Sequence, residues 1–114
     1  MLNLHDKANE LAALIKKSDE YVAYKKLMDE VYAEESNKKM VEDYKKLQFE
    51  AQATYLSGQE PPEDLMDKIK KLGEVLQFNP KITEFFAAEY RFNTLVSDLY
   101  TLIFGDLIDV GMKE

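Results

Sequence analysis

The chain has 114 residues, 46% hydrophobic and 32% charged, with four Gly, three Pro and no Cys, which suits one domain with its own core and excludes collagen, low-complexity disorder and an all-β sandwich. Without Cys there is no disulfide framework, thiolate nucleophile or thiolate-held Fe–S cluster. Fifteen basic against 22 acidic residues leave a net charge of −7, which disfavours nucleic acid and anionic membrane surfaces as partners.

The start, Met1-Leu2-Asn3-Leu4-His5-Asp6, lacks the basic-then-apolar run of a signal peptide. No stretch of about 18 uncharged apolar residues is present to insert in a bilayer, so the expected location is the cytoplasm. The first helical period runs from Leu4 to Lys17, with Leu4, Ala8, Leu11, Ala12 and Ile15 on one face. Ser18 reads as the N-cap of a second helix, followed by Asp19 and Glu20 where acidic groups suit the helix dipole. That helix carries Tyr21, Tyr24, Leu27, Met28 and Val31 on one face and ends near Tyr32 or Ala33. Ser36 reads as the cap of a third helix with the stripe Met40, Tyr44, Leu47, Ala51 and Tyr55, stopped by Gly58.

Gln59-Glu60-Pro61-Pro62 is the clearest break, and a fourth helix is predicted to start beside Pro62 with Glu63 and Asp64 in its first turn. Its stripe is Leu65, Ile69, Leu72 and Leu76. Asn79-Pro80 repeats the start signal, Asn as cap and Pro at the first helical position. The fifth helix then extends to about Phe104, roughly 37 Å at about 1.5 Å per residue. Gly105 interrupts it, and Asp106–Val110 supply one further turn. Short connections make neighbouring helices antiparallel, so residues 1–114 are expected to form a single all-α domain, an antiparallel helical hairpin bundle of about five helices with a long last one.

Catalytic groups are sparse. The one His, His5, sits at the chain start, and in a helix it points about 100° away from Asp6, so the pair is not a preorganised base with its orienting carboxylate. Glu34-Glu35 and Glu42-Asp43 are adjacent pairs that a helix directs apart, and no Glu-x-x-His tetrad for a di-metal site is present. Gly58, Gly73, Gly105 and Gly111 make neither a phosphate-cradling loop nor a dinucleotide fingerprint. The expectation is a protein that is not an enzyme and takes no cofactor or metal.

Two surface signals remain. Ten lysines occur as the pairs Lys16-Lys17, Lys25-Lys26, Lys38-Lys39, Lys45-Lys46 and Lys70-Lys71. Exposed helix faces favour lysine for solubility, and Glu42 with Lys46 and Asp67 with Lys71 have the favourable i,i+4 spacing. The alternative is direct RNA binding by those faces, which steep salt dependence would reveal. The second signal is the fifth helix. Ile82, Phe85, Glu89, Phe92, Val96, Leu99 and Ile103 form a seam of 3.5-residue period, the spacing of coiled-coil-like packing. Glu89 in that seam is either a polar device setting register or a rim residue. Arg91, the one arginine, has the planar fork favoured at interfaces. From Phe92 to Ile108 large apolar residues lie on more than one side, so the helix is either central in its bundle or covered by another chain; the second reading is favoured and predicts a homodimer. Its candidate interface is Glu89, Arg91, Phe92, Leu95, Leu99, Tyr100 and Ile103.

The stretches Ser18-Asp19-Glu20-Tyr21-Val22-Ala23-Tyr24-Lys25-Lys26, Asn79-Pro80-Lys81-Ile82 and Phe85-Phe86-Ala87-Ala88-Glu89-Tyr90-Arg91-Phe92-Asn93-Thr94-Leu95 resemble the YheA branch of the YlbF/YmcA family of small helical bacterial proteins. The resemblance implies a self-associating cytoplasmic protein. It also implies a regulatory role, since better-studied members influence competence, sporulation and biofilm formation through a protein complex acting on RNA processing. The Fe–S cluster linked to cysteines in some members does not carry over, because this chain has no Cys. Glu89, Arg91, Phe92 and Asn93 match the family's helix motif as structural or interface positions, and the family supplies no catalytic residue to map.

Overall fold

The computed structural model describes residues 3–108. Among them are five helices and no strand: α1 (Leu4–Lys17), α2 (Asp19–Tyr32), α3 (Glu35–Leu56), α4 (Glu63–Leu76) and α5 (Pro80–Phe104). The all-α class and the long last helix therefore agree with the sequence reading.

Local side-chain chemistry explains most boundaries. The Asn3 Oδ1 accepts from the backbone N–H of His5 at 2.9 Å and of Asp6 at 3.3 Å, which starts α1. Ser18 serves two helices at once. Its Oγ donates to the Ile15 carbonyl at 2.6 Å, closing α1, and accepts from the Tyr21 N–H at 3.1 Å, opening α2. Asn79 caps α5 in the same way, accepting from Lys81 N at 3.1 Å and Ile82 N at 3.3 Å. After Phe104 the Leu107 and Ile108 N–H groups both donate to its carbonyl, so Gly105 begins one last turn. Val110, the expected end of that turn, lies outside the described residues.

The start of α3 corrects one expectation. The helix begins at Glu35, with Glu34 in the cap position and no side-chain cap bond, so Ser36 lies within the first turn instead of capping it. Asn37 uses the Glu34 carboxylate differently: its Nδ2 donates to Glu34 Oε2 at 2.9 Å. At the other end, Gly58 has φ +90. The Gly58 N–H donates to the Tyr55 carbonyl at 3.1 Å and the Gln59 N–H to the Thr54 carbonyl at 3.2 Å, the paired bonds of a Schellman stop. Gly58→Ala, which forces a Cβ into the left-handed region, is expected to lower stability by about 1 kcal/mol, measurable in urea titrations.

The helices group into two compact units, residues 27–85 and residues 3–26 with 86–108. In the unit of residues 27–85, α3 and α4 form an antiparallel hairpin. Tyr44 lies against Gly73, where an added Cβ would stand 3.3 Å from the tyrosine hydroxyl, and the two helices approach again between Leu47–Thr54 and Pro62–Lys68. Val31, Val41, Leu76, Ile82 and Phe85 are buried there. The Phe85 ring meets Tyr32 edge-on at 6.1 Å, and the Lys45 ammonium lies 5.4 Å from its centroid. Asn79 Nδ2 donates to Asn37 Oδ1 at 3.0 Å, joining residues 42 apart in sequence.

The other unit is thinner. Ala88 is its one fully buried residue among those described, and Tyr21, Tyr24, Phe92, Leu11, Ile15, Leu95 and Leu99 are half-buried. Phe92 stacks on Tyr24 at 5.1 Å and meets Tyr21 edge-on at 5.4 Å.

Candidate interaction surfaces

Along α5 burial falls from the first residues to the last. Ile82, Phe85 and Ala88 are buried, Glu89, Phe92, Leu95 and Leu99 are half-buried, and Val96, Tyr100 and Ile103 are exposed. The candidate interface residues thus divide. Phe92 is held between two tyrosines, whereas Tyr100 tilts against Phe104 at 5.0 Å with the outer part of its ring open. Arg91 is exposed and lines a shallow pocket of about 280 Å³ with Glu20, Tyr90, Thr94, Leu95 and Asp98. Both acids there are of the charge a guanidinium would meet in a partner, so this pocket already supplies Arg91 with carboxylate surroundings.

A strongly apolar groove of about 520 Å³ lies in the unit of residues 3–26 and 86–108. It is lined by Leu4, Ala8 and Leu11 of α1 and by Ile103, Phe104 and Leu107, with Lys7 as the single charged residue. Leu4 is 80% exposed, Leu102 81% and Leu107 75%. The sequence stripe on α1 put Leu4 on one face with Ala8 and Leu11, and here it forms the open lip of a groove. Its end-of-helix position supplied that signal, since a first-turn residue has neighbours on one side only. A second groove of about 540 Å³ runs between α3 and α4, and nothing in the periodicity alone marked it.

Charge is distributed unevenly. Residues 3–26 and 86–108 carry seven acidic and six basic side chains, whereas residues 27–85 carry 13 acidic and eight basic. Two exposed ion pairs, Lys7–Glu10 and Lys39–Asp43 at 3.4 Å each, are local to single helices and add little stability. Among the described residues no group of three or more His, Cys, Asp or Glu is placed to hold a metal ion. No helix among them is long and apolar enough to cross a membrane.

Residues 4–107 match the family model described as control of competence regulator ComK, YlbF/YmcA. The chain belongs to the YlbF/YmcA family. Within that family it is YheA-like, because the solved structure of yheA from Bacillus subtilis superposes with a TM-score of 0.66 at 27% identity, over 93% of this chain and 96% of that one. A protein of unknown function (DUF964) from Bacillus stearothermophilus shares the fold with a TM-score of 0.75 at 19% identity, covering 91% of each chain. A UPF0342 protein of Halothermothrix orenii is 36% identical over 111 residues, 97% of this chain and 93% of the relative. Another UPF0342 protein, from Clostridium tetani, is 32% identical over 112 residues. The YlbF/YmcA family is thus linked to control of a competence regulator, and its YheA-like members share this helical fold.

Proposed function

We propose that this YheA-like chain is a non-enzymatic interaction protein of the cytoplasm that pairs with a second copy and, so assembled, modulates a protein partner. The family's link to competence control supports the regulatory half of that reading. The observation that carries it is the exposed apolar end of α5 with its groove against α1, where Leu4, Leu102 and Leu107 stand in solvent.

The exposed parts of Leu4, Val96, Tyr100, Leu102, Ile103, Phe104 and Leu107 amount to an area on the order of the 800 Å² that each side of a standard interface covers. Apolar exposure of that extent, spread over more than one side of the α5 end, is an aggregation hazard on a lone soluble chain, and two-fold pairing hides part of it in both copies at once. The surrounding unit is close to neutral, with seven acidic and six basic side chains, so two copies meet there with little repulsion.

Light scattering behind gel filtration tests the pairing. Wild type is expected at dimer mass at about 100 μM, and Leu102→Asp at monomer mass with its helical circular dichroism intact, because Leu102 supports no core. A wild-type monomer at that concentration ends the proposal. Retained RNA binding at physiological salt, abolished by reversing Lys45 and Lys46, would favour direct RNA recognition instead.

A further inference from the structure

The groove between α3 and α4 belongs to neither the pairing surface nor the buried core. Leu47, Ala53, Pro62 and Leu65 line it, Phe49 forms an open side, and Glu50 and Asp64 sit with Lys68 at its polar rim. Phe49 is 71% exposed and Leu56, about two turns further along α3, is 77% exposed. The lined stretch from Leu47 to Thr54 is about 11 Å at 1.5 Å per residue, room for about two turns of a partner helix.

The charge around this groove selects its occupant. Between Leu47 and Asp67 the chain carries Glu50, Glu60, Glu63, Asp64 and Asp67 and no Lys or Arg, with Lys46 and Lys68 bounding the stretch. A second copy of this end would bring the same five carboxylates against the single rim lysine, Lys68, and be repelled. An acidic partner or a nucleic acid backbone would be repelled likewise. A helix with apolar residues on one side and Lys or Arg flanking them fits both the apolar floor and the acidic rim.

We infer that the α3–α4 groove is a docking site for a basic amphipathic helix of a partner protein, separate from the surface through which the chain pairs with itself. The floor takes side chains spaced i, i+3 or i+4 along that helix. Glu50 and Asp64 meet its cations. Weak, salt-sensitive binding follows, because the acids are exposed and screened.

A fluorescein-labelled Leu/Lys peptide of about 18 residues, amphipathic as a helix of about five turns, is the probe, and a scrambled peptide of the same composition is its control. Fluorescence anisotropy is expected to show binding of the amphipathic peptide and about tenfold weaker binding of the scramble. Phe49→Ser and Glu50→Lys, both at exposed positions, should each weaken the amphipathic peptide about tenfold, and Leu102→Ser on α5 should leave it unchanged. Equal binding of the scramble, wild-type affinity in both groove variants, or equal loss in Leu102→Ser overturns the inference. So does a change of oligomeric mass in Phe49→Ser, which would make the occupant a second copy. A wild-type monomer that still binds the peptide through Phe49 and Glu50 defeats the pairing proposal alone.

Discussion

Phe85→Ala is expected to cost about 3–5 kcal/mol of unfolding free energy, the range for truncating a fully buried aromatic ring. Phe85 is 1% exposed, its ring meets Tyr32 edge-on, and the Lys45 ammonium lies 5.4 Å from its centroid. Alanine removes the transfer free energy of the ring, leaves a cavity among Tyr32 and its neighbours, and strips the Lys45 ammonium of its aromatic partner. A domain of this size has a total stability of only about 5–15 kcal/mol, so the variant should unfold at a much lower urea concentration. Phe49→Ala is the matched control. Its ring is largely in solvent, and its effect is expected within about 0.5 kcal/mol. A Phe85→Ala loss below about 1 kcal/mol would mean the site collapses and refills.

Asn37→Asp should be nearly as damaging at neutral pH, and its damage should depend on pH. Asn37 is almost fully buried, donates to the Glu34 carboxylate and accepts from Asn79 Nδ2. The aspartate keeps the Asn79 bond but turns its second oxygen toward Glu34, setting two carboxylates at hydrogen-bond distance with no proton between them. Burial and a like charge both raise the folded-state pKa of such a pair above the unfolded value near 4. The folded variant therefore holds a proton that the unfolded chain has lost, and stability falls as pH rises through that window. A cost of about 3 kcal/mol is expected at pH 7, shrinking toward pH 4 where the pair shares a proton. Urea midpoints that track wild type across pH 4–7 would show that Glu34 swings away and the network does not constrain α3. Asn37→Leu, which removes both polar functions, should show no such pH dependence.

The two proposed surfaces use different helices and different physics. Pairing relies on apolar area in a near-neutral setting at α1 and the end of α5, and should be insensitive to moderate salt. The α3–α4 groove combines apolar anchors with an acidic rim, so added salt should weaken it. A regulator that must self-associate while holding a partner needs this separation, because one surface cannot be occupied twice. If both proposals hold, the family's link to competence control would take a physical form in this chain: paired copies, each offering an α3–α4 groove to a basic segment of a target.

Helix boundaries were legible because capping is local. Ser18 and Asn79 each reach backbone N–H groups two or three residues away, so residue type and spacing determined where α2 and α5 begin; Asn3 does the same for α1, whose start was legible from its apolar period. Gly58 marked the end of α3 for the same reason, since the left-handed turn is a property of that residue. The start of α3 escaped. Ser36 had the right chemistry, but the helix starts one residue before it, with Glu34 in the cap position and its carboxylate accepting from Asn37, whose other amide atom is held by Asn79, 42 residues later. The seam of α5 held at Ile82, Phe85, Glu89, Phe92 and Leu99 but not at Val96 and Ile103, which are exposed, because a period assigns residues to a face without saying what lies opposite. That Phe85 is buried, Phe92 is clasped by two tyrosines and Ile103 opens into a groove depends on which helices run beside each turn of α5. Burial is set by neighbours distant in sequence, whereas caps and turns are set by neighbours within one helical turn. The sequence by itself therefore determined five helices and where four of them start, and the tertiary structure alone decided which of their apolar faces are core and which remain open to a partner.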